Sequence, residues 1–151
     1  MSVDGIRNFL PVTGRIGSAG QPSEDELREV AADGYDAVVN LGLLDPRYCL
    51  ADEAGLVRSL GLRYEHIPVD FGAPTLDDFR AFLAAMDAME GERVFVHCAA
   101  NWRVTSFLAV YGEMRLGWSR DEADAHARRL WPLNDTWTGF LDACRREFLG
   151  G

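Results

Sequence analysis

The sequence predicts an α/β fold with three α/β/α layers, in which helices cover both faces of a central, mainly parallel sheet. Short apolar runs, each long enough for one buried strand, alternate along the chain with stretches of helical periodicity. This alternation is typical of parallel sheets whose strands are joined by helices. No internal repeat, low-complexity tract or linker divides the 151 residues, so we expect a single domain over residues 1–151.

Four strands are predicted, each from a short run of mainly apolar residues: residues 16–18, 35–41, 62–67 and 93–98. The last run contains Val94, Phe95 and Val96, which favours the centre of the sheet. In open parallel sheets, binding sites lie beyond the carboxyl ends of the strands. We therefore expect the functional site at the end of the strand over residues 93–98.

Six helices are predicted, with starts near residues 23, 50, 75, 104, 119 and 137. Ser23 and Ser119 each stand three positions before a glutamate and form capping boxes, and Thr75 caps the third helix. Gly34 and Gly61 end the first two helices. The helix over residues 104–116 is apolar nearly all round, which predicts that it is buried.

One contiguous segment joins the strand over residues 93–98 to the helix after it. It consists of His97 and Cys98, four loop residues and Arg103. The loop N–H groups and the helix dipole attract an anion, and the Arg103 guanidinium offers it a bidentate fork. The same field favours the thiolate form of Cys98, so the segment predicts an anion-binding cradle around a nucleophile.

Residues 97–105, His-Cys-Ala-Ala-Asn-Trp-Arg-Val-Thr, resemble the signature loop of the cysteine-dependent protein tyrosine and dual-specificity phosphatases. Three other segments follow the order of a bacterial group of small dual-specificity-like phosphatases: Ser-Ala-Gly-Gln-Pro-Ser at 18–23, Val-Val-Asn-Leu at 38–41 and His-Ile-Pro-Val-Asp at 66–70. The resemblance implies the three-layer phosphatase fold. It also implies hydrolysis of phosphomonoesters through a cysteinyl-phosphate intermediate.

The resemblance implies a role for each residue that matches the family's motifs. Cys98 is the nucleophile, Arg103 clamps the phosphoryl oxygens, and Asp70 is the general acid that protonates the leaving oxygen. Asp78, which follows in the first turn of the third helix, is the alternative acid. No metal or other cofactor is expected, because Arg103 and the loop amides already neutralise the anion.

Substrate binding is assigned to the loop and to the nearest hydroxyl after it: Ala99, Ala100, Asn101, Trp102 and Thr105. The aromatic ring of Trp102 either flanks a planar substrate or packs as a plug that closes the pocket. His97 and Asn40 receive supporting roles, in which they brace the site without transferring protons. The expected substrate is a phosphorylated protein, on tyrosine or serine, or a small phosphoester.

Two departures from the phosphatase pattern keep other functions open. Four residues, not the usual five, separate Cys98 from Arg103, and Val104 replaces the hydroxyl residue that normally follows the arginine. The shorter spacing resembles rhodanese-type sulfurtransferases, in which Cys98 would carry a persulfide. The missing hydroxyl allows a catalytically weak, phosphate-binding pseudo-phosphatase. Asn101 stands at a loop position that is often glycine in the family. This change is mild because asparagine tolerates the left-handed conformation.

Composition limits the partners and the cellular location that we expect for the protein. The net charge of −9 argues against binding to nucleic acid or to an anionic membrane surface. Three widely spaced cysteines suit a reducing cytosol, and none has the spacing of a metal site. Because the sequence shows neither a signal peptide nor an apolar stretch that could span a membrane, we expect a cytoplasmic protein.

Cys144 lies on an apolar helical stripe, which predicts a core position.

Overall fold

Five strands form one mixed, mostly parallel sheet in the computed structural model, which describes residues 3–150. They are β1 (Leu10–Pro11), β2 (Ile16–Ala19), β3 (Ala37–Asn40), β4 (Arg63–His66) and β5 (Val94–His97), and their order across the sheet is β1-β2-β5-β3-β4. Only β1 and β2 pair in the antiparallel sense, whereas the other neighbours are parallel. The strand over residues 93–98 is central, as predicted.

Six α-helices flank the sheet: α1 (Glu24–Ala32), α2 (Glu53–Ser59), α3 (Leu76–Ala88), α4 (Trp102–Arg115), α5 (Arg120–Ala127) and α6 (Asp135–Phe148). Side chains alternate between the two faces along β5, because successive residues of a strand point in opposite directions. Val94 and Val96 belong to a core cluster with α3, α4, α5 and α6, and Phe95 belongs to a second cluster with α1 and α2. The predicted three-layer α/β/α architecture is confirmed.

The helix caps follow the predictions from sequence. Ser23, Thr75 and Ser119 each accept a hydrogen bond from the backbone N–H three residues later, and each of these caps is a complete capping box. In α4 every residue from 103 to 112 is buried, as its apolar composition predicted. None of the helices within residues 3–150 combines the length and apolar character needed to cross a membrane.

The start of α4 and the presence of strand β1 are among the features that differ from the prediction. Helix α4 begins at Trp102 instead of residue 104, because Asn101 adopts a left-handed conformation (φ 67°) that starts the helix earlier. Strand β1 was not predicted, since two residues that include a proline carry no periodic signal. Pro11 is tolerated there because β1 lies at the edge of the sheet.

The sheet collects the ends of four strands along one edge. Ala19, Asn40, His66 and His97 are the last residues of β2, β3, β4 and β5, and the pairing register places them in one row. Cys98 follows directly after this row. The loops that can surround Cys98 are therefore those that leave the carboxyl ends of the parallel strands.

Candidate active site

A cavity of about 200 Å³ opens at this edge of the sheet. Its walls are formed by six residues from the cysteine loop, the start of α4 and the segment after β4: Phe71, Cys98, Ala99, Ala100, Trp102 and Arg103. The structure thus brings together the predicted nucleophile, the predicted arginine clamp and most of the predicted loop. Asp70, Thr105, His97 and Asn40 do not line this cavity.

Successive carbonyl groups of the cysteine loop are each held by a different part of the protein. The Cys98 carbonyl oxygen lies 3.2 Å from His97 Nδ1, which donates to it. The next carbonyl, on Ala99, accepts from the backbone N–H of Gln21 at 2.9 Å. The third, on Ala100, accepts from Asn8 Nδ2 at 2.9 Å. Three consecutive peptide units therefore have fixed orientations.

These carbonyl contacts determine where the loop N–H groups point. In a trans peptide the C=O and the following N–H lie on opposite sides, and the described chain has no cis peptide bonds. The N–H groups of Ala99, Ala100 and Asn101 must therefore point away from the carbonyl anchors. Within residues 3–150, no hydrogen bond joins these three N–H groups to another residue. Consecutive N–H groups with no partner form a binding concavity for an anion.

Asn101 braces the loop through its side chain. Its Nδ2 donates to Asn8 O at 2.9 Å and to Ser18 Oγ at 3.1 Å, and the residue is fully buried. Its φ of 67° is in the left-handed region, which asparagine tolerates and which explains why it can stand where the family often has glycine. Since the amide Nδ2 is directed at Asn8 and Ser18, we expect the predicted substrate contact of Asn101 to come from its backbone N–H.

Gly20 permits the close approach of the cysteine loop to the turn after β2. A Cβ atom at this position would lie 2.5 Å from Ala99 O, which is closer than real Cβ contacts allow. Only glycine therefore lets the Gln21 N–H reach the Ala99 carbonyl without moving the loop.

Arg103 is buried and has no anionic partner. Only 8% of the residue is exposed, and no carboxylate in the described part of the chain pairs with it. Its Nε has no hydrogen-bond partner within residues 3–150. The guanidinium carbon lies 5.5 Å from the centre of the Phe71 ring, which supports it from one side. Since a buried charge is costly without a partner, an oxyanion in the cavity would complete the hydrogen bonding of Arg103.

The three cysteines are free thiols with different surroundings. Cys98 is 1% exposed but lines the cavity. Cys144 is fully buried on α6, and burial raises the pKa of its thiol to about 12, so the predicted core position is confirmed. Cys49 is partly exposed on the segment before α2. Because a high pKa makes Cys144 a poor nucleophile, it does not compete with Cys98.

A buried carboxylate that the sequence analysis missed lies behind the loop. Glu53 Oε2 is 2.5 Å from His97 Nε2, and Glu53 Oε1 accepts from Gln21 Nε2 at 2.8 Å. Burial acts to raise the pKa of Glu53, but its hydrogen bonds and the charge of His97 outweigh burial and hold that pKa below its ordinary value. No signal in the sequence separates Glu53 from any acidic residue in the first turn of a helix.

Asp70 is exposed on the segment that follows β4. Its Oδ1 accepts from the Gly72 N–H at 2.9 Å. The neighbouring Phe71 lines the cavity, so the backbone that carries Asp70 reaches the cavity wall. Asp78 Oδ2 instead accepts from the Thr75 N–H at 3.0 Å and completes the capping box of α3.

Thr105 and Asn40 lie outside the cavity. The Thr105 hydroxyl donates to Trp102 O at 3.0 Å and approaches Ala127 O at 3.4 Å, so the backbone carbonyls of α4 and α5 occupy it. Within residues 3–150, no hydrogen bond joins this hydroxyl to Cys98. Asn40 Oδ1 accepts from the Gly42 N–H at 2.8 Å, and its Nδ2 donates to Tyr64 OH at 3.1 Å. Both contacts brace the chain after β3.

Aromatic rings form one wall of the cavity. The Trp102 ring stacks on Trp131 with 4.8 Å between ring centres and 5° between planes, and Phe71 lies 6.2 Å from Trp102. Trp137 Nε1 donates to Phe71 O at 2.8 Å and fixes this segment. Trp102 is 36% exposed, so it both packs on Trp131 and presents surface to the cavity. The sequence analysis identified neither Trp131 nor Phe71 as part of the site.

No protein-family model matches the chain. Over 120 residues the chain is 32% identical to the Beta-lactamase hydrolase-like protein of Xylella fastidiosa strain Temecula1, and equally to that of strain 9a5c. The match covers 78% of this chain but 28% of each relative, so the chain spans about 28% of the length of these curated relatives.

Solved structures match almost the whole chain. A Shewanella putrefaciens CN-32 protein, provisionally described as a phosphatase, has a TM-score of 0.87 and 28% identity, with 97% of this chain and 96% of that chain covered. Tk-PTP in its active form has a TM-score of 0.80 and 26% identity, with 93% and 98% covered. PTPMT1 in complex with PI(5)P, at 18% identity, has a TM-score of 0.78 with 95% and 97% covered and shares the fold. The chain therefore has the fold of the cysteine-dependent phosphatases. The first two of these neighbours support a function of that kind.

Proposed function

We propose that this chain is a cysteine-dependent phosphatase of the bacterial dual-specificity-like group and that it hydrolyses phosphomonoesters through a cysteinyl-phosphate intermediate. The observation that carries the proposal is the composition of one cavity. It contains the Cys98 thiol, the buried Arg103 without a carboxylate partner, and the loop whose N–H groups have no partner within residues 3–150. A phosphoryl group supplies the oxygens that these donors lack.

In the first step, the Cys98 thiolate attacks phosphorus as the bond from phosphorus to the ester oxygen breaks. The loop N–H groups and the Arg103 guanidinium hold the three equatorial oxygens, on which negative charge is spread in the transition state. Helix α4 begins four residues after Cys98, so its positive end points at the same group. This electrostatic support is strongest in the transition state, which is the condition for a faster reaction.

In both steps we assign the proton transfers to Asp70. Its protonated carboxyl gives the leaving oxygen a proton in the first step. In the second, its carboxylate takes a proton from the water that attacks phosphorus, and the bond from sulfur to phosphorus breaks. Phe71, the next residue after Asp70, lines the cavity, and this supports the assignment over one to Asp78, whose carboxylate is held in the capping box of α3.

The cavity favours substrates with one phosphoryl group. Among the six lining residues, Arg103 is the only one with a charge, and the others are apolar or aromatic apart from the thiol. A second phosphate would have no cation at the cavity wall. We therefore propose a phosphorylated protein side chain or a small phosphomonoester as the substrate, and no nucleic acid, in agreement with the net charge of −9.

Sulfur transfer is the second candidate, favoured by the four-residue spacing between Cys98 and Arg103 and by the apolar cavity walls. In that reaction the Cys98 thiolate attacks the outer sulfur of a donor such as thiosulfate, and sulfite leaves. Cyanide then removes the sulfur as thiocyanate and restores the thiolate. This route does not use Asp70, so it gives that residue no role.

One experiment separates these functions. The purified protein and its Cys98→Ser variant are offered p-nitrophenyl phosphate in one assay and thiosulfate with cyanide in another. We expect phosphate release that depends on Cys98 and competitive inhibition by vanadate, which mimics five-coordinate phosphorus. Thiocyanate without phosphate release would overturn the phosphatase proposal in favour of sulfur transfer. Binding of phosphate without either product would identify a phosphate-binding pseudo-phosphatase.

A further inference from the structure

Glu53 is a buried carboxylate that none of the proposed chemical steps uses. It is 5% exposed and stands in the first turn of α2, on a different element from the cysteine loop. Its two oxygens have separate partners, Gln21 Nε2 at 2.8 Å and His97 Nε2 at 2.5 Å. Burying a carboxylate costs free energy, so we expect Glu53 to have a specific role at this position.

Both partners of Glu53 also hold a carbonyl of the cysteine loop. His97 holds the Cys98 carbonyl through Nδ1, and Gln21 holds the Ala99 carbonyl through its backbone N–H. One carboxylate therefore links the two residues that orient the first two peptide units after Cys98. Through the trans geometry of those units, the same two contacts set the directions of the Ala99 and Ala100 N–H groups.

The His97 ring faces an acceptor on each side. His97 Nδ1 lies 3.2 Å from the Cys98 carbonyl oxygen, and Nε2 lies 2.5 Å from Glu53 Oε2, so the ring bridges the loop and the carboxyl group. The ionisable groups around the pair are Tyr64, which neighbours Glu53, and His66, whose Nε2 lies 2.7 Å from Gly42 O. Burial raises the pKa of Tyr64 to about 12, so it stays neutral, and His66 acts on Glu53 only through its charge.

We propose that Glu53 is a positioning residue for the oxyanion cradle, in which it fixes His97 and Gln21 so that the Ala99 and Ala100 N–H groups point at the bound anion. The proposal rests on the proposed function in assuming that this loop binds an oxyanion. In this role the length of the Glu53 side chain, which lets it contact His97 and Gln21 together, matters more than its negative charge.

Two substitutions of Glu53 separate the effect of side-chain length from the effect of charge. In Glu53→Gln the amide oxygen still accepts from Gln21. Its NH₂ group donates to His97 Nε2 once the ring carries a single proton on Nδ1, so both loop anchors persist. Glu53→Asp keeps the charge but is shorter by one methylene, about 1.5 Å, and cannot reach both partners. We expect the aspartate variant to be the more damaged of the two.

The measurements are the amide ¹H–¹⁵N resonances of Ala99, Ala100 and Asn101 in the free protein, and the inhibition constant of vanadate. Glu53→Asp should shift those resonances and weaken vanadate binding by about 10²-fold, the order of loss expected from a displacement of 1 Å. Glu53→Gln should stay within a few-fold of the parent. The reverse order, or unchanged resonances in Glu53→Asp, would overturn the proposal.

Glu113→Asp is a matched control. Glu113 Oε2 accepts from Arg145 Nε at 2.8 Å, so it is also a carboxylate with a close partner, and its side chain is only 10% exposed. It lies ten residues beyond Arg103 on α4, about 15 Å along the helix. This variant should lose stability and leave the loop resonances unchanged. If the loop resonances shift equally in it, Glu53 has only a general structural role.

A second variant covers the case in which Glu53→Asp does not fold. Gln21→Met removes the hydrogen bond between Gln21 and Glu53 and leaves the Gln21 backbone N–H in place. We expect the Ala100 resonance to shift, and an unchanged resonance would overturn the proposal. If the parent protein neither turns over nor binds vanadate, the proposed function fails, while the resonances of the free protein still decide the role of Glu53.

Discussion

The Arg103 guanidinium lies against the face of the Phe71 ring, with 5.5 Å between the guanidinium carbon and the ring centre. The ring and the guanidinium belong to different segments, the one after β4 and the first turn of α4. Their contact joins the proposed acid segment to the proposed anion clamp. Since Arg103 has no carboxylate partner among the described residues, we expect the contact with Phe71 to help orient its guanidinium.

Replacement of Phe71 by leucine should therefore disturb the clamp and the acid together. We expect Phe71→Leu to weaken vanadate binding about tenfold and to lower kcat more for alkyl than for aryl phosphates. Steady-state kinetics with both substrates measure this. Phe148→Leu is the control, because Arg80 lies over the Phe148 ring at a similar 5.4 Å but away from the cavity. Equal kinetic losses in the two variants would contradict the role given to Phe71.

Alkylation should distinguish the three thiols. We expect iodoacetate to modify Cys98 first near neutral pH, and vanadate or phosphate to protect it, because the anion occupies the same cavity. Cys144 should remain unmodified, since burial raises its pKa to about 12. Mass spectrometry of peptides after timed exposure gives the order. Cys49→Ser is the control and should leave turnover intact, and faster labelling of Cys49 than of Cys98 would contradict the assignment of the nucleophile.

The loss of hydrolysis rate on removal of the proposed acid should depend on the leaving group of the substrate. Asp70→Asn should slow hydrolysis of alkyl phosphates by about 10²–10⁴, the usual contribution of a positioned acid or base. An activated aryl phosphate needs little protonation of its leaving oxygen and should lose less. Asp78→Asn is the comparison, since its carboxylate caps α3 and should affect stability instead of turnover. A larger kinetic loss in Asp78→Asn would transfer the role to that residue.

His126 should make stability depend on pH in an acidic window. Burial, with a smaller effect from the charge of Arg129, lowers the pKa of His126 from 6.5 to about 4. Between these values the unfolded chain binds a proton that the folded protein does not, so the free energy of unfolding falls as pH drops from 6.5 to 4.

The loss attributable to His126 is on the order of 2–3 kcal/mol at pH 4. Denaturant unfolding at several pH values should therefore show a steeper decline in the parent than in His126→Leu, which keeps an apolar group against Trp118. Parallel curves for the two proteins over this window would contradict the shift.

The parts of the fold that sequence predicted are those encoded by neighbouring residues. The capping boxes at Ser23, Thr75 and Ser119 depend on residues three apart, and the central strand depends on one apolar run. Strand β1 was missed because its position depends on pairing with β2 and not on its own two residues. The start of α4 was missed because it depends on the backbone of Asn101.

The same division applies to the site. Cys98, Arg103 and the loop between them are contiguous, so their proximity followed from the strand, loop and helix order. Glu53, Asn8 and Phe71 come from distant segments, and nothing in their own surroundings in sequence marks them as neighbours of Cys98. Thr105 was assigned to substrate binding because it is close to the loop in sequence, and in the structure its hydroxyl donates to the Trp102 carbonyl within α4.

The anchored carbonyls of Cys98, Ala99 and Ala100 have a consequence for the thermodynamics of ligand capture. Their partners come from three separate segments, so the loop acquires its shape when the chain folds and keeps it when no ligand is bound. The entropy cost of ordering the loop is therefore met on folding, and binding of an oxyanion does not incur it again. Because the donors belong to the backbone, the side chains at positions 99 and 100, which line the cavity, are not needed to hold the phosphate group.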